Sequence, residues 1–181
     1  MLKKMTNDNT TSKKLSFSVT ELAICGMFIA LTYVATYIHV QLPFGGKGGL
    51  VHFGNVPMFL AAMLFGRRIG ALTGGIGMAL FDITSGWAIW APCTVITVGL
   101  MGYMTGWITE KNRGFVWKIV AVLVATVIKI AGYYIAEVIM YGNWITPALS
   151  VPGNILQMAV GSIIVLLMIQ PIETIVKKNS L

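Results

Sequence analysis

Charge is what this sequence has least of. Asp, Glu, Lys and Arg together make up 10% of its 181 residues, and six acids stand against thirteen bases. Soluble domains carry roughly a quarter of their residues as charges. With 56% of the residues hydrophobic, most of the chain belongs in lipid. The surplus of base does not indicate nucleic acid, because the lysines and arginines lie in short clusters between apolar runs instead of on one water-facing surface. Cysteine is scarce too: Cys25 and Cys93 both fall in apolar segments and act as small hydrophobes. Neither Cys-x-x-Cys nor His-Glu-x-x-His occurs, so no metal site is expected. A phosphate-binding loop is also missing. In "PFGGKGG" Lys47 is followed by Gly48, and Gly-Lys-Ser/Thr appears nowhere, so the hydroxyl that would bind the nucleotide's magnesium is absent.

What is present is a series of apolar runs. A helix needs about 20 apolar residues to cross the hydrocarbon core, and the runs fall at 20–40, 53–65, 68–84, 92–108, 116–141 and 152–176. They predict an all-α membrane protein of six spans, the second short and tilted or only partly inserted. A polar tail of residues 1–19 precedes one membrane domain (20–176), and a short tail (177–181) follows. The first run is long, lies behind "TNDNTTSKK" and has no small-residue cleavage site, so it reads as a span and not a signal peptide. Eleven of the thirteen bases fall on one side of this arrangement, all but Lys47 and Lys129. Basic loops stay in the cytoplasm, which places both tails there and the loop after the first span outside.

Helices in lipid meet where small residues let their backbones approach. Gly70-x-x-x-Gly74, Ala71-x-x-x-Gly75 and Gly77 in the third span, with Gly99, Gly102 and Gly106 in the fourth, are expected to pack the bundle. Gly26-x-x-x-Ala30 in the first span suits either the bundle or an outside partner. Ionisable residues inside spans are costly and are functional candidates by default. Asp82 ends the third span, while Lys129 and Glu137 share one stripe of the fifth with Tyr133, at intervals of four residues. Mutual pairing is one fate for these charges, and contact with a ligand is the other. Tyr141 beside Trp144 suits a membrane-interface belt.

Trp87, Trp90 and Thr94 at the head of the fourth span, and Asn154 opening the sixth, fall near the same face. Aromatic rings, polar donors, a lysine and two carboxylates converging on a cavity suit a small, flat, polar heterocycle. The glycine-rich loop, with Gly45, Gly46, Lys47, Gly48 and Gly49, then reads as a mobile extracellular lid or as a plain connector.

The length, the six spans with a short second one, the small-residue site in the first, and above all "HFGNVPMFLAAMLFGRRIGALTGGIGMALFDITSGWAIWAPCTVITVGLMGYMTG" resemble the substrate-binding S components of energy-coupling factor (ECF) vitamin transporters. The resemblance covers nearly the whole chain and is greatest to the subgroup for riboflavin, hydroxymethylpyrimidine and pyridoxine. It implies a bacterial-type, multi-pass protein of the cell membrane that takes a vitamin from outside and performs no catalysis. It points to Trp90, Thr94, Lys129, Tyr133, Glu137 and Asn154 as substrate-binding residues, with His52 and Asn55 from the lid side and Asp82 in the same polar group. The family's docking surface, usually Ala-x-x-x-Ala, maps to Gly26 and Ala30. The implied partners are a transmembrane coupling (T) subunit and two cytoplasmic ABC-type ATPases. ATP and magnesium belong to those ATPases, and no cofactor is expected in this chain. A one-ring vitamin or precursor, hydroxymethylpyrimidine or pyridoxine, is the preferred cargo, because Glu137 can accept from an aminopyrimidine edge while Lys129 or Asn154 donates. Riboflavin, a stand-alone facilitator, and a hydrolase using Ser85 with His39 or His52 are the rivals.

Overall fold

The computed structural model describes residues 17–41 and 50–179, with side chains as far as 176. The glycines and lysine expected to form a lid, Gly45 to Gly49 with Lys47, lie outside the described residues.

Among the described residues six α-helices follow one another: α1 (Val19–Tyr37), α2 (Asn55–Phe65), α3 (Arg67–Thr84), α4 (Ala91–Lys111), α5 (Phe115–Tyr141) and α6 (Val151–Asn179). Four of them, α1, α4, α5 and α6, are long and apolar enough to cross a membrane. Of the six predicted spans, the short second one, α2, and the third, α3, do not meet that criterion. At 11 residues, α2 is about 16 Å long, half the hydrocarbon thickness. The glycines and two arginines of α3 dilute its apolar character, and half of its residues are buried against its neighbours.

One short element adds to the helices the all-α expectation foresaw. The stretch after α1 forms an antiparallel hairpin, β1 (His39–Gln41) with β2 (Leu50–His52), in which His39 faces His52 and Gln41 faces Leu50. The first helix therefore ends at Tyr37 and not at residue 40. A three-residue strand is too short for alternation to reveal it, and apolar composition extended the helix through it.

Each helix end has a local cause. Ser18 caps α1 reciprocally with Glu21: the Glu21 amide donates to Ser18 Oγ at 3.1 Å, and the Ser18 amide donates to Glu21 Oε2 at 2.8 Å. The first amide of α3 is capped from another helix, since Arg67 N donates to Glu110 Oε1 at 2.8 Å. Gly142 ends α5 in the left-handed region, φ 67°. At the end of the bundle away from the hairpin, Lys118 of α5 and Glu173 of α6 form a buried ion pair of 2.6 Å.

The centre of the molecule is the α3–α4 seam. A Cβ on Gly102 would land on the Gly70 carbonyl, one on Gly106 would strike the Arg67 backbone, and one on Gly75 would sit 3.0 Å from the Val95 carbonyl. These glycines pack the bundle, as their spacing predicts. The open question about α1 is also settled, because Gly26 and Ala30 are exposed and no atom lies within 4 Å of a Cβ at Gly26. They share an outward face with Val19, Leu22, Met27 and Val34, which are 84%, 57%, 52% and 59% exposed. So much apolar surface suits lipid or another protein and not water.

Candidate functional site

Polar residues gather at the hairpin end, between β2 and the ends of α3, α4, α5 and α6. They surround a cavity of about 60 Å3, counted as space open to the centre of a water molecule. About 10–15 Å3 of such space holds one water, so the cavity takes a handful of them. Its walls come from distant parts of the chain. The hairpin supplies Leu50 and His52, α3 supplies Asp82, and the turn before α4 supplies Trp87 and Trp90. Thr94 opens α4, Lys129, Tyr133 and Glu137 form the α5 stripe, and Asn154 and Gln157 come from α6.

Helical periodicity does the positioning on α5. Residues 129, 133 and 137 are successive steps along one face, and Lys129 and Glu137 are each only 2% exposed. The Tyr133 hydroxyl lies 3.1 Å from Thr94 Oγ1, and its ring lies 6.1 Å from that of Trp90, tilted by 39°. These contacts fix two aromatic surfaces on one wall. Lys129 Nζ stands 4.9 Å from the centre of the Tyr133 ring. It makes no ion pair: among the described residues the pairs are Arg67 with Glu110 and Lys118 with Glu173, both away from the cavity.

The carboxylates are correspondingly unsatisfied. Glu137 Oε2 accepts from Ser150 Oγ at 2.9 Å, but Glu137 Oε1 and Asp82 Oδ2 are closed off from solvent and accept no hydrogen bond from the described residues. A buried acceptor without a partner costs about 1–3 kcal/mol. Mutual pairing, the structural explanation for these charges, is not what the geometry shows.

Of the nine residues expected to bind substrate, eight border the cavity: His52, Asp82, Trp90, Thr94, Lys129, Tyr133, Glu137 and Asn154. Asn55 does not. It is fully buried at the start of α2, where its Nδ2 lies 3.4 Å from Met158 Sδ and its Cβ packs on Gly161. Gln157 was missed. A glutamine in an apolar helix one turn from Asn154 was the available signal, and the structure shows it 2% exposed with Nε2 3.5 Å from the His52 carbonyl. Burial, with the Lys129 ammonium and His39 nearby, holds the His52 imidazole well below its usual pKa. The hydrolase reading fails here: Ser85 Oγ is buried without a hydrogen bond to either histidine, while His39 Nδ1 is taken up by the Thr36 carbonyl at 3.1 Å.

The family model for the ECF-type riboflavin transporter, S component, matches residues 16–174. The chain belongs to that family. As an S component it is a membrane-embedded part of a transporter and not an enzyme, with a vitamin or vitamin precursor as its cargo and an ECF module as its partner. The thiamine precursor transporter HmpT of Lactococcus lactis subsp. cremoris is 27% identical over 147 residues, which cover 81% of this chain and 84% of that one. An uncharacterised Pyrococcus woesei protein is 28% identical over 107 residues, 59% of this S component and 72% of the relative. In the fold, the solved S component of a bacterial ECF transporter superposes with a TM-score of 0.73 over 87% of this chain and 98% of that one, at 22% identity.

Proposed function

We propose that the cavity binds a one-ring heterocyclic vitamin or precursor, hydroxymethylpyrimidine or pyridoxine, as the first step of its uptake from outside the cell. The observation that carries this reading is the pair of unsatisfied buried oxygens, Asp82 Oδ2 and Glu137 Oε1, on two residues that border a cavity the size of a few waters. Each calls for an N–H or O–H donor, and the neighbouring amino and hydroxymethyl groups of hydroxymethylpyrimidine supply two. Trp90 and Tyr133 offer ring faces for stacking, while Lys129 and Asn154 are placed to donate to ring nitrogen or hydroxyl. The similarity to HmpT, whose name records a thiamine precursor, supports the same choice.

In this reading the bases at the opposite end, Arg67, Arg68, Lys111 and Arg113, mark the cytoplasmic side, and the hairpin faces outward. The exposed Gly26 and Ala30 face of α1 meets the transmembrane coupling subunit, and two cytoplasmic ABC-type ATPases supply the energy from ATP and magnesium. Titration calorimetry of the purified protein with hydroxymethylpyrimidine, pyridoxine and riboflavin tests the cargo. Tight binding of riboflavin alone, which would also colour the preparation yellow, overturns it. Riboflavin is the second reading because the matching family model carries its name. Uptake by vesicles that contain this protein without the ATPase module would replace the coupled scheme with a facilitator.

A further inference from the structure

The two histidines of the hairpin face each other across the ladder, yet their rings are held in opposite ways. His39 Nδ1 lies 3.1 Å from the Thr36 carbonyl. A carbonyl can only accept, so that nitrogen carries a proton. His52 Nδ1 lies 3.2 Å from Gly54 N and receives the hydrogen of that amide, so it is unprotonated. A neutral ring has one N–H, which for His52 is therefore on Nε2. Among the described residues none takes that hydrogen: beyond the ladder, the hydrogen bonds at His52 are those of Nδ1 with Gly54 N and of its carbonyl with Gln157. The ring borders the cavity, and the nearby Lys129 ammonium opposes a second proton on it.

The arrangement is held from both sides. The tight turn after β2 brings the Gly54 amide back to the ring, and Gln157 of α6 anchors the strand by its carbonyl, Nε2 to O at 3.5 Å. Gly54 is itself required, since a Cβ there would collide with Thr36 Oγ1 and lie 3.1 Å from His52 Nδ1. The charged groups of the cavity are two carboxylates, Asp82 and Glu137, and one ammonium, which stands over the Tyr133 ring. A directed neutral N–H on this wall adds a recognition element that the carboxylates cannot supply.

We propose that His52 is a specificity-determining residue, its neutral ring donating from Nε2–H to an unprotonated ring nitrogen or carbonyl oxygen of the bound heterocycle. This rests on the reading of the cavity as the ligand site and adds which atom reads which edge. A ring with an acceptor on the His52 side is selected over an isosteric ring bearing C–H there, because the latter would leave the buried N–H without a partner.

Two measurements test it. In the purified protein labelled with 15N-histidine, the His52 resonances should show the Nε2–H tautomer before ligand is added; an Nδ1–H tautomer or a charged ring at neutral pH overturns the proposal. Hydroxymethylpyrimidine and its two deaza analogues, each with one ring nitrogen replaced by C–H, are then titrated into the wild type, His52→Phe and His52→Gln. The wild type should lose about 10- to 100-fold in affinity for one analogue. His52→Phe should lose as much for the parent and little more for that analogue, and His52→Gln should recover part of the loss. Equal losses for all three ligands, or no loss in His52→Phe, overturn the assignment while leaving the cavity as the ligand site. If the wild type binds riboflavin and none of the pyrimidines, the one-ring cargo fails, and the same comparison with riboflavin and its deaza analogues decides His52.

Discussion

The α3–α4 seam and the cavity at the hairpin end are built on opposite terms. Along the seam the backbones meet so closely that Gly70 and Gly102 have no room for a Cβ, and helix ladders satisfy the polar backbone groups. At the cavity, away from the ion-paired ends of α5 and α6, there is open space, a lysine without an ion pair among the described residues and two unsatisfied carboxylate oxygens. Helices in lipid gain little from hiding apolar surface, so close packing holds the bundle together. A polar cavity gives up part of that packing, and the groups left without partners are available to a ligand. In the proposed reading the seam holds the fold and the cavity takes the ligand.

Substitutions can break or sharpen this contrast. The largest effect is expected for Gly102→Leu, whose side chain must displace the Gly70 backbone. It should lower stability by about 3 kcal/mol or more, read as loss of monodisperse protein or a large fall in melting temperature, while a melting temperature within a few degrees of wild type would mean that the seam is not the structural centre. Glu137→Gln comes next. It should leave the fold intact and weaken ligand binding by about 1–3 kcal/mol, and unchanged affinity in calorimetry would remove Glu137 from the site.

Lys129→Met sharpens the comparison by separating the two properties. Replacing a buried charge that lacks an ion-pair partner by an apolar side chain of similar length should raise stability, by about 1 kcal/mol, and reduce ligand affinity. A fall in thermal stability would mean that Lys129 supports the bundle. Gly26→Leu should be the mildest on the fold. With nothing near its Cβ, stability and vitamin binding should stay within about 0.5 kcal/mol of wild type, but copurification with the coupling module should be lost. Normal assembly would show that this face of α1 is not the docking surface.

Much of this was legible in the sequence, for reasons that differ from residue to residue. The α5 stripe could be read because helical geometry alone puts Lys129, Tyr133 and Glu137 in line, and the glycine seam because small residues at four-residue spacing have one common use in lipid. The hairpin could not, since three-residue strands leave no periodic trace and their pairing joins residues separated by a loop. Asn55 and Gln157 look alike as amides in apolar helices. Which one reached the cavity depended on the rotation of α2 and α6 about their axes, set by Gly161 against Asn55 and by Gln157 against His52.

Composition and spacing determined on their own that the chain belongs in lipid, where its helices fall and which side chains share a face, because these follow from the hydrophobic effect and from 3.6 residues per turn. Only the tertiary structure decided that Gly26 faces outward, that α2 and α3 lie within the bundle, and that Lys129 stands apart from both carboxylates. Those outcomes depend on how separate helices are rotated and brought together, and no single segment contains that information.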